Sequence, residues 1–444
     1  MTSLQLETGM PPLTKCCNSL DTLEKDLHLN KEGLQYNDCL SIFFPFYVAA
    51  EIPSNMAMKR FRPSLWIPCI MVAWAICTTL LGVTKNYAGL MACRAALGVA
   101  EGGLFPGITL FISCWYRRHE CGLRMAIFFS AATAAGAFGG LLARGILEMR
   151  GVGGLAGWRW IFILEGLLTF IVAIVALWAM HDYPGTAKFL TEAEQEEVVA
   201  RLKRDQSSLA DEMGSKYFFA ALRDWKIWVH MFITIGVYTG LYSYSLFLPT
   251  IVKDLGYTDP KLAQLMTVPP YIAACFFCIT AGWLADKWKQ RGIFMIFFMT
   301  VAIVGLIMLL ASHHNGVRYA GCFLLASGIY PNVPQGVAWN GNNIGGSFKR
   351  AVGIAMHVGF GNLGGTISGY LFLSRDSPRY FHGFGTLLGC QVMSLCLSVC
   401  MTLYLRHANA RRDREHKPPS EYTEEERVRE LEKGDDATFF RYTV

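Results

Sequence analysis

Charge is scarce in this chain. Asp, Glu, Lys and Arg make up 17% of its 444 residues, while 53% are hydrophobic; ordinary soluble domains carry about a quarter charged residues. Catalytic signatures are missing. No GxSxG elbow, HExxH pair or phosphate-cradling Walker loop occurs, so the chain is not expected to be an enzyme. His313-His314 is a lone pair in a short loop and weak ground for a metal. No metal site, catalytic residue or resident cofactor is expected. The alternation of a membrane β-barrel is lacking as well. The basic residues behind the net charge of +6 are not gathered on one patch, so no nucleic-acid partner is expected.

What the sequence does have is runs of about 20 residues nearly free of charge, enough to cross a hydrocarbon core roughly 30 Å thick. They fall at 36–58, 66–84, 88–115, 125–147 and 158–180, then at 227–252, 265–285, 293–312, 317–338, 351–374 and 384–405. Eleven such runs predict an all-α, multi-pass membrane protein with lipid as its surroundings. Basic residues crowd alternate loops: Lys59, Arg60 and Arg62, then Arg117, Arg118 and Arg124, the second half of 181–226, then Lys287, Lys289 and Arg291, and the tail from Arg406. The positive-inside rule makes that set cytosolic. The fourteen cysteines lie mostly within runs, as Cys77, Cys93, Cys275, Cys396 and Cys400 do; they read as small buried hydrophobes rather than disulfides or metal ligands. Cys16-Cys17 as a lipidation pair is the minor alternative. No cleavable signal peptide is evident, as is normal when internal helices direct insertion.

The loop 181–226 is the only long polar insertion between runs. Thr191 to Glu194 forms a capping-box pattern ahead of EEVVARLKRD, which predicts a short helix there. An internal repeat appears at a shift of about 225 residues. RMAIFFSAATAAGAFGG (124–140) falls on KRAVGIAMHVGFGNLGG (349–365), with Gly136, Gly139 and Gly140 matching Gly361, Gly364 and Gly365. At nearly the same shift NMAMKRFR (55–62) falls on GWLADKWK (282–289). Two halves repeated in parallel, with a cytosolic connector, predict the major facilitator architecture. The organisation expected is a tail at 1–35, a bundle of five helices at 36–180, a connector at 181–226, a bundle of six at 227–405 and a cytosolic tail at 406–444. The partner of run 227–252 would lie near residues 1–26, which hold two prolines and several charges and cannot span a bilayer. Eleven helices therefore stand where twelve are usual. Either the chain lacks its first helix or its start as written is incomplete, and the second is the expectation.

Several stretches in series resemble the fungal allantoate permease-like branch of the anion:cation symporters, within the major facilitator superfamily. They are SIFFPFYVAAEIPSN (41–55), RAALGVAEGGLFPG (94–107), GVGGLAGWRWIFILEG (151–166), GWLADKW (282–288), and WNGNNIGGSFKRA (339–351) leading to GNLGG (361–365). The similarity covers roughly residues 24 to 415, and LEKDLHL (23–29) looks like the loop between the family's first two helices. Pro45 stands where a small residue is expected, and Arg62 where a glycine usually precedes the proline. The resemblance implies transport of a small organic acid, such as allantoate, nicotinate, pantothenate or biotin, usually with protons. It implies a monomer most simply placed in the plasma membrane.

The residues read on their own terms point the same way. A charge at mid-membrane costs on the order of 2.5–3.5 kcal/mol, so such residues usually face a cavity or a partner. Arg94 and Glu101 are seven apart, on one helix face but separated by roughly 10 Å of rise, too far for a comfortable ion pair. Arginine keeps its charge and offers a fork that matches a carboxylate; a glutamate in a low-dielectric cavity is suited to take up and release a proton. One fixed and one switchable charge are the minimum for symport of an anion with a proton, and the resemblance implies an arginine and a glutamate in this helix. The alternative is that both pair with other helices and only hold the bundle together. Glu51, just before Pro53, reads equally as a second proton site or as a hydrogen-bonded residue at a helix break. Glu165 reads as structural, a partner for Arg144 or Arg94. His230 and His357 read as satisfied interior histidines. Asn340 and Asn362, with Tyr238, Tyr242 and Tyr244, are candidate cavity hydrogen-bonders. Gly98, Gly102 and Gly103 form a small-residue face for helix contact, as do the glycines of 136–140 and 361–369. Lys59, Arg60, Asp286, Lys287 and Arg291 are candidate gating residues, with Asp286 expected to meet a basic loop across the bundle interface. An exporter of an acidic metabolite, or a sensor that binds without transport, are the competing readings.

Overall fold

The computed structural model describes residues 23, 26–27, 35–117, 119–187, 189–206, 215–255, 260–372, 380–415, 423, 426, 430 and 433–444. Most of the expected tail 1–35, with Cys16-Cys17, lies outside them, as do the side chains of Lys59 and Arg144. Among the described residues there is no strand. The helices are α1 (Gln35–Ser41), α2 (Phe43–Arg60), α3 (Pro63–Leu81), α4 (Tyr87–Glu101), α5 (Leu104–Trp115), α6 (Cys121–Leu147), α7 (Gly157–Ala179), α8 (Glu192–Gln206) and α9 (Ser215–Arg223). They continue with α10 (Trp225–Asp254), α11 (Pro260–Leu265), α12 (Val268–Trp288), α13 (Gly292–Ala311), α14 (Asn315–Asn342), α15 (Ser347–Ser368) and α16 (Phe381–Glu415).

Each charge-free run is helical, most within a few residues of the expected bounds; α16 runs ten residues past the expected end at 405, and α15 ends at Ser368, short of 374. Among the described residues, eight segments are long and apolar enough to cross a membrane. The other three, α2, α14 and α15, each carry buried polar side chains: Glu51 and Asn55, then Asn332, Gln335 and Asn340, then His357 and Asn362. A helix that lines an interior needs fewer apolar residues than one that faces lipid. On α7, by contrast, Leu168, Ile171, Val175 and Trp178 are all exposed, a greasy flank for acyl chains.

Two runs expected as single helices are broken, each for a proline. Pro106 has no N–H to offer the Gly102 carbonyl four residues back, and Gly102-Gly103 are poor helix formers. The chain breaks there, Gly103 taking φ −125° and ψ −2°. Pro45 does the same to the Ser41 carbonyl, which separates α1 from α2. In the connector, the Thr191 N–H and hydroxyl both donate to Glu194 Oε2, and the Glu194 N–H donates back to Thr191 Oγ1 at 3.4 Å. The expected capping box therefore starts α8.

Helices pack into two bundles. In the first, α3 lies along α7, and α4 packs on α2 and α3. In the second, α14 lies against α13 and α12, and α10 against α15 and α16. The bundles meet along two seams, α6 on α12 and α2 on α15. The repeat explains the pairing: a shift of about 225 carries α6 onto α15 and α2 onto α12. Each seam is thus the pseudo-twofold image of the other. The same shift places the counterpart of α10 at residues 1–29, of which Leu23, Asp26 and Leu27 are described; both leucines are buried and Asp26 accepts from the Trp158 indole at 2.9 Å.

Close approach depends on glycine. A β-carbon at Gly98 would stand 2.4 Å from the Phe43 carbonyl oxygen, and one at Gly102 would stand 2.5 Å from that of Tyr47, so α4 touches α2 backbone to backbone. On the seam between α2 and α15 a β-carbon at Gly365 would overlap the Phe44 ring.

Candidate functional site

The seams carry polar side chains at three levels. At the outer end, Asn37 Nδ2 donates to the Gly369 carbonyl at 2.5 Å and the Tyr370 hydroxyl to Asp38 at 2.7 Å, both across the interface. At the opposite end, which the positive-inside rule assigns to the cytosol, Asp286 Oδ2 accepts the Leu123 N–H at 2.7 Å, again across the interface. The conformation is bridged at both ends.

Between them lie the membrane-embedded charges. Arg94 is fully buried. Its Nε donates to the Cys39 carbonyl at 2.9 Å and Nη2 to that of Leu40 at 3.4 Å, with the Phe43 ring beneath. These carbonyls belong to the last turn of α1, where a helix leaves acceptors unmatched and a cation is welcome; the Pro45 break created that turn. Arg94 Nη1 has no hydrogen-bond partner among the described residues. Glu101, about two turns further along the same face of α4, is also buried. Glu51 is buried on α2 with its carboxylate against Gly359 of α15; a β-carbon there would stand 2.7 Å from Glu51 Oε2. Of the buried acids, Glu51 is thus seated on a seam. Glu165 is buried on the α7 face toward α3 and forms no ion pair with Arg94.

On the opposite bundle Tyr242 donates to Asn362 Oδ1 at 2.6 Å, and the Phe44 ring packs on Tyr242 with centroids 5.0 Å apart. These two expected residues face the seam together. Asn340 does not join them: it sits near the cytosolic end of α14, and its amide donates to the Gly353 carbonyl at 3.1 Å as a cross-tie to α15. Thr234 Oγ1 lies within hydrogen-bond distance of the His357 ring, and His230 packs edge-on against Trp339.

A tyrosine cluster was not anticipated from sequence. Tyr244, Tyr271 and Tyr330 are buried edge-to-face, 5.8–6.2 Å between centroids, with Ser245 Oγ 2.9 Å from the Tyr330 hydroxyl. Phe129 approaches Tyr330 from the first bundle, and Gly136 abuts Tyr271. The residues come from three helices at unrelated spacings, so no sequence period flags them.

The cytosolic contact corrects one expectation. Asp286 meets the end of the basic 117–124 stretch across the interface, but through a backbone N–H at the helix N-terminus rather than, among the described residues, through a basic side chain. Leu123 lies in the first turn of α6, whose N–H groups have no partner within the helix, and an anion there is stabilised by the helix dipole. The basic residue beside Asp286 is its neighbour Arg291, Nη2 to Oδ1 at 2.6 Å, while Nη1 of the same guanidinium donates to Gln335 at 2.9 Å. Lys287 is turned over the Trp283 ring, 5.1 Å away, and Arg60 is exposed. Neither makes an ion pair across the interface among the described residues. Both side chains sit where cationic anchors to a membrane surface belong.

Two bundles related by a pseudo-twofold axis, meeting along polar seams within a membrane, define a secondary transporter. Residues 18–369 match the Major Facilitator Superfamily. The chain is 34% identical over 394 residues to the uncharacterised transporter C1002.16c of Schizosaccharomyces pombe, covering 88% of this chain and 78% of that protein. It is 35% identical over 434 residues to the MFS-type transporter cnsO of Penicillium expansum, with 94% and 83% covered. It is 32% identical over 389 residues to the high-affinity nicotinic acid transporter of Saccharomyces cerevisiae, with 87% and 72% covered. Among solved structures, the proton:xylose symporter XylE superposes with a TM-score of 0.67 at 14% identity, over 91% of this chain and 93% of that one. The chain belongs to the major facilitator superfamily. It is a multi-pass membrane transporter of a small molecule, not an enzyme.

Proposed function

We propose that the chain is a proton-coupled symporter of a small organic anion, in the allantoate permease-like branch of the anion:cation symporters and in the plasma membrane. The observation that carries this is Arg94: a fully buried guanidinium whose hydrogen bonds among the described residues go to neutral carbonyls, with Nη1 unmatched there. A carboxylate offers it charge-assisted, bidentate bonds, roughly twice as strong as bonds to neutral acceptors. Binding of the anion at Arg94 therefore draws the Cys39–Leu40 turn away, which couples substrate to the helix break beside the seam. Glu101 on the same helix and Glu51 on the seam are the proton carriers, and the Tyr242–Asn362 pair is the polar contact from the second bundle. That the Saccharomyces relative is named for nicotinic acid, itself a carboxylic acid, supports the class of substrate.

Purified protein in liposomes, given labelled nicotinate or allantoate under an imposed pH gradient, tests the reading. Arg94→Ala is expected to lose uptake by at least about 100-fold, since removing one partner of a buried charge pair costs roughly 3–5 kcal/mol. Glu101→Gln is expected to retain exchange and lose accumulation. Undiminished accumulation by both Glu101→Gln and Glu51→Gln would refute proton coupling.

A further inference from the structure

Residues 433–444 do not trail into the cytosol. They cross the cytosolic ends of α10, α13, α14, α15 and α16 and bond to each. Asp435 is fully buried between Lys226 Nζ at 2.5 Å and Lys349 Nζ at 2.6 Å. Burial alone would raise its carboxyl, but the two ammonium groups more than offset that and hold it below the usual range. The Tyr442 ring lies under Arg412, 4.3 Å from the guanidinium, and its hydroxyl accepts from Lys226 at 3.0 Å. Asn409 exchanges two hydrogen bonds with the backbone of Tyr442, and Asn343 does the same with Thr443, whose carbonyl also accepts from the Trp339 indole. Ala437, Phe440, Tyr442 and Thr443 are all buried.

The last contact reaches the interface. The Val444 carbonyl accepts the backbone N–H of Arg291 at 2.6 Å. Arg291 caps α13, and its guanidinium, 1% exposed, grips Asp286 and Gln335. Asp286 in turn holds the Leu123 N–H of the other bundle. Among the described residues, every helix that the hydrogen bonds above tie to the segment belongs to the second bundle, and Arg291 is the link that leads from it to the interface.

We propose that residues 433–444 are a positioning strap for the cytosolic gate. Docked, the strap fixes Arg291, so Asp286 stays on the α6 N-terminus and the cytosolic side is shut. Undocked, it lets Arg291 and Asp286 swing free, and the inward-open state gains population. The inference rests on the transporter reading, since a gate has meaning only if the bundles rock; its test needs no substrate, so the two can fail separately.

Leu123 is a built-in reporter. In the first helical turn its amide has no intrahelical partner, so its protection from hydrogen exchange reads the Asp286 bond. The experiment is exchange mass spectrometry on the full chain in lipid nanodiscs. Asp435→Lys sets a third cation between Lys226 and Lys349; Thr443→Pro removes the N–H that Asn343 accepts. The two variants loosen the strap at separate ends, so one remains if the other fails to fold, and monodisperse elution checks folding. In a variant whose 433–444 amides exchange faster, Leu123 is expected to exchange about tenfold faster, the scale of losing a charge-assisted hydrogen bond, with α7 amides unchanged. Asp286→Asn is expected to expose Leu123 and leave the strap protected. A loosened strap with Leu123 exchange within about twofold of the unsubstituted protein overturns the proposal. So does a strap that stays protected in both variants, or a Leu123 indifferent to Asp286→Asn.

Discussion

Replacing Gly98 by Ala adds one methyl group, and the geometry sets the sign of its effect. The new β-carbon would stand 2.4 Å from the Phe43 carbonyl oxygen and 3.0 Å from the Tyr47 nitrogen. Both are backbone atoms of α2, so no side chain can swing aside. Relief requires α2, which carries Glu51, and α4, which carries Arg94, to part within the first bundle. Alanine gains about 0.5–1 kcal/mol over glycine in a helix, whereas forcing a methyl into a packed contact costs about 1–3 kcal/mol. The net expectation is a loss of up to about 2.5 kcal/mol. The control is Gly385→Ala in α16, where nothing lies within 4 Å of the added carbon; there the helix term acts alone, and stability rises by about 0.5–1 kcal/mol. Thermal unfolding in detergent micelles reads both. One chemical change should lower the midpoint at one site and raise it at the other. A raised midpoint for Gly98→Ala would refute the claim that α2 and α4 are in backbone contact.

Two more expectations follow from named bonds. Because Lys349 and Lys226 lower the Asp435 carboxyl, its contribution to strap docking is fully present above the unfolded value of about 3.9 and is lost as pH falls through the lower folded value; exchange of residues 433–444 should be protected evenly from about pH 5 to 8, and loss of protection at about pH 6 would show that the lysine pair is not what holds it. Tyr242→Phe strands the Asn362 acceptor and should cost about 1–3 kcal/mol, read as a lower unfolding midpoint together with weaker uptake; an unchanged midpoint and unchanged uptake would remove the pair from the site.

The helices were legible because hydrocarbon selects against charge, and the absence of charge is a signal that needs no neighbours. The seams were half legible: the repeat at about 225 relates α2 to α12 and α6 to α15, but hydropathy does not say which helices touch. The breaks at Gly102-Gly103 and Ile42 escaped because a proline's missing N–H acts four residues away, on an otherwise apolar run. Arg94 and Glu101 stood out as charges in grease, yet the carbonyls that receive Arg94 carry no side-chain signature. The same holds for Asp286, whose partner across the interface is a backbone N–H. Tyr271 and Tyr330 were hidden because tyrosine also belongs to membrane surfaces, and the strap because polar residues near a terminus usually read as solvated.

The modest hydropathy of α2 bears on how the protein is made. A helix carrying Glu51 and Asn55 partitions poorly into lipid on its own, and its long packing partner, α15, is synthesised some three hundred residues later. An early portion of the polypeptide therefore waits, half-satisfied, for a late one. A ribosome that stops before α15 leaves an acidic flank facing acyl chains, a lesion that membrane quality control is built to detect.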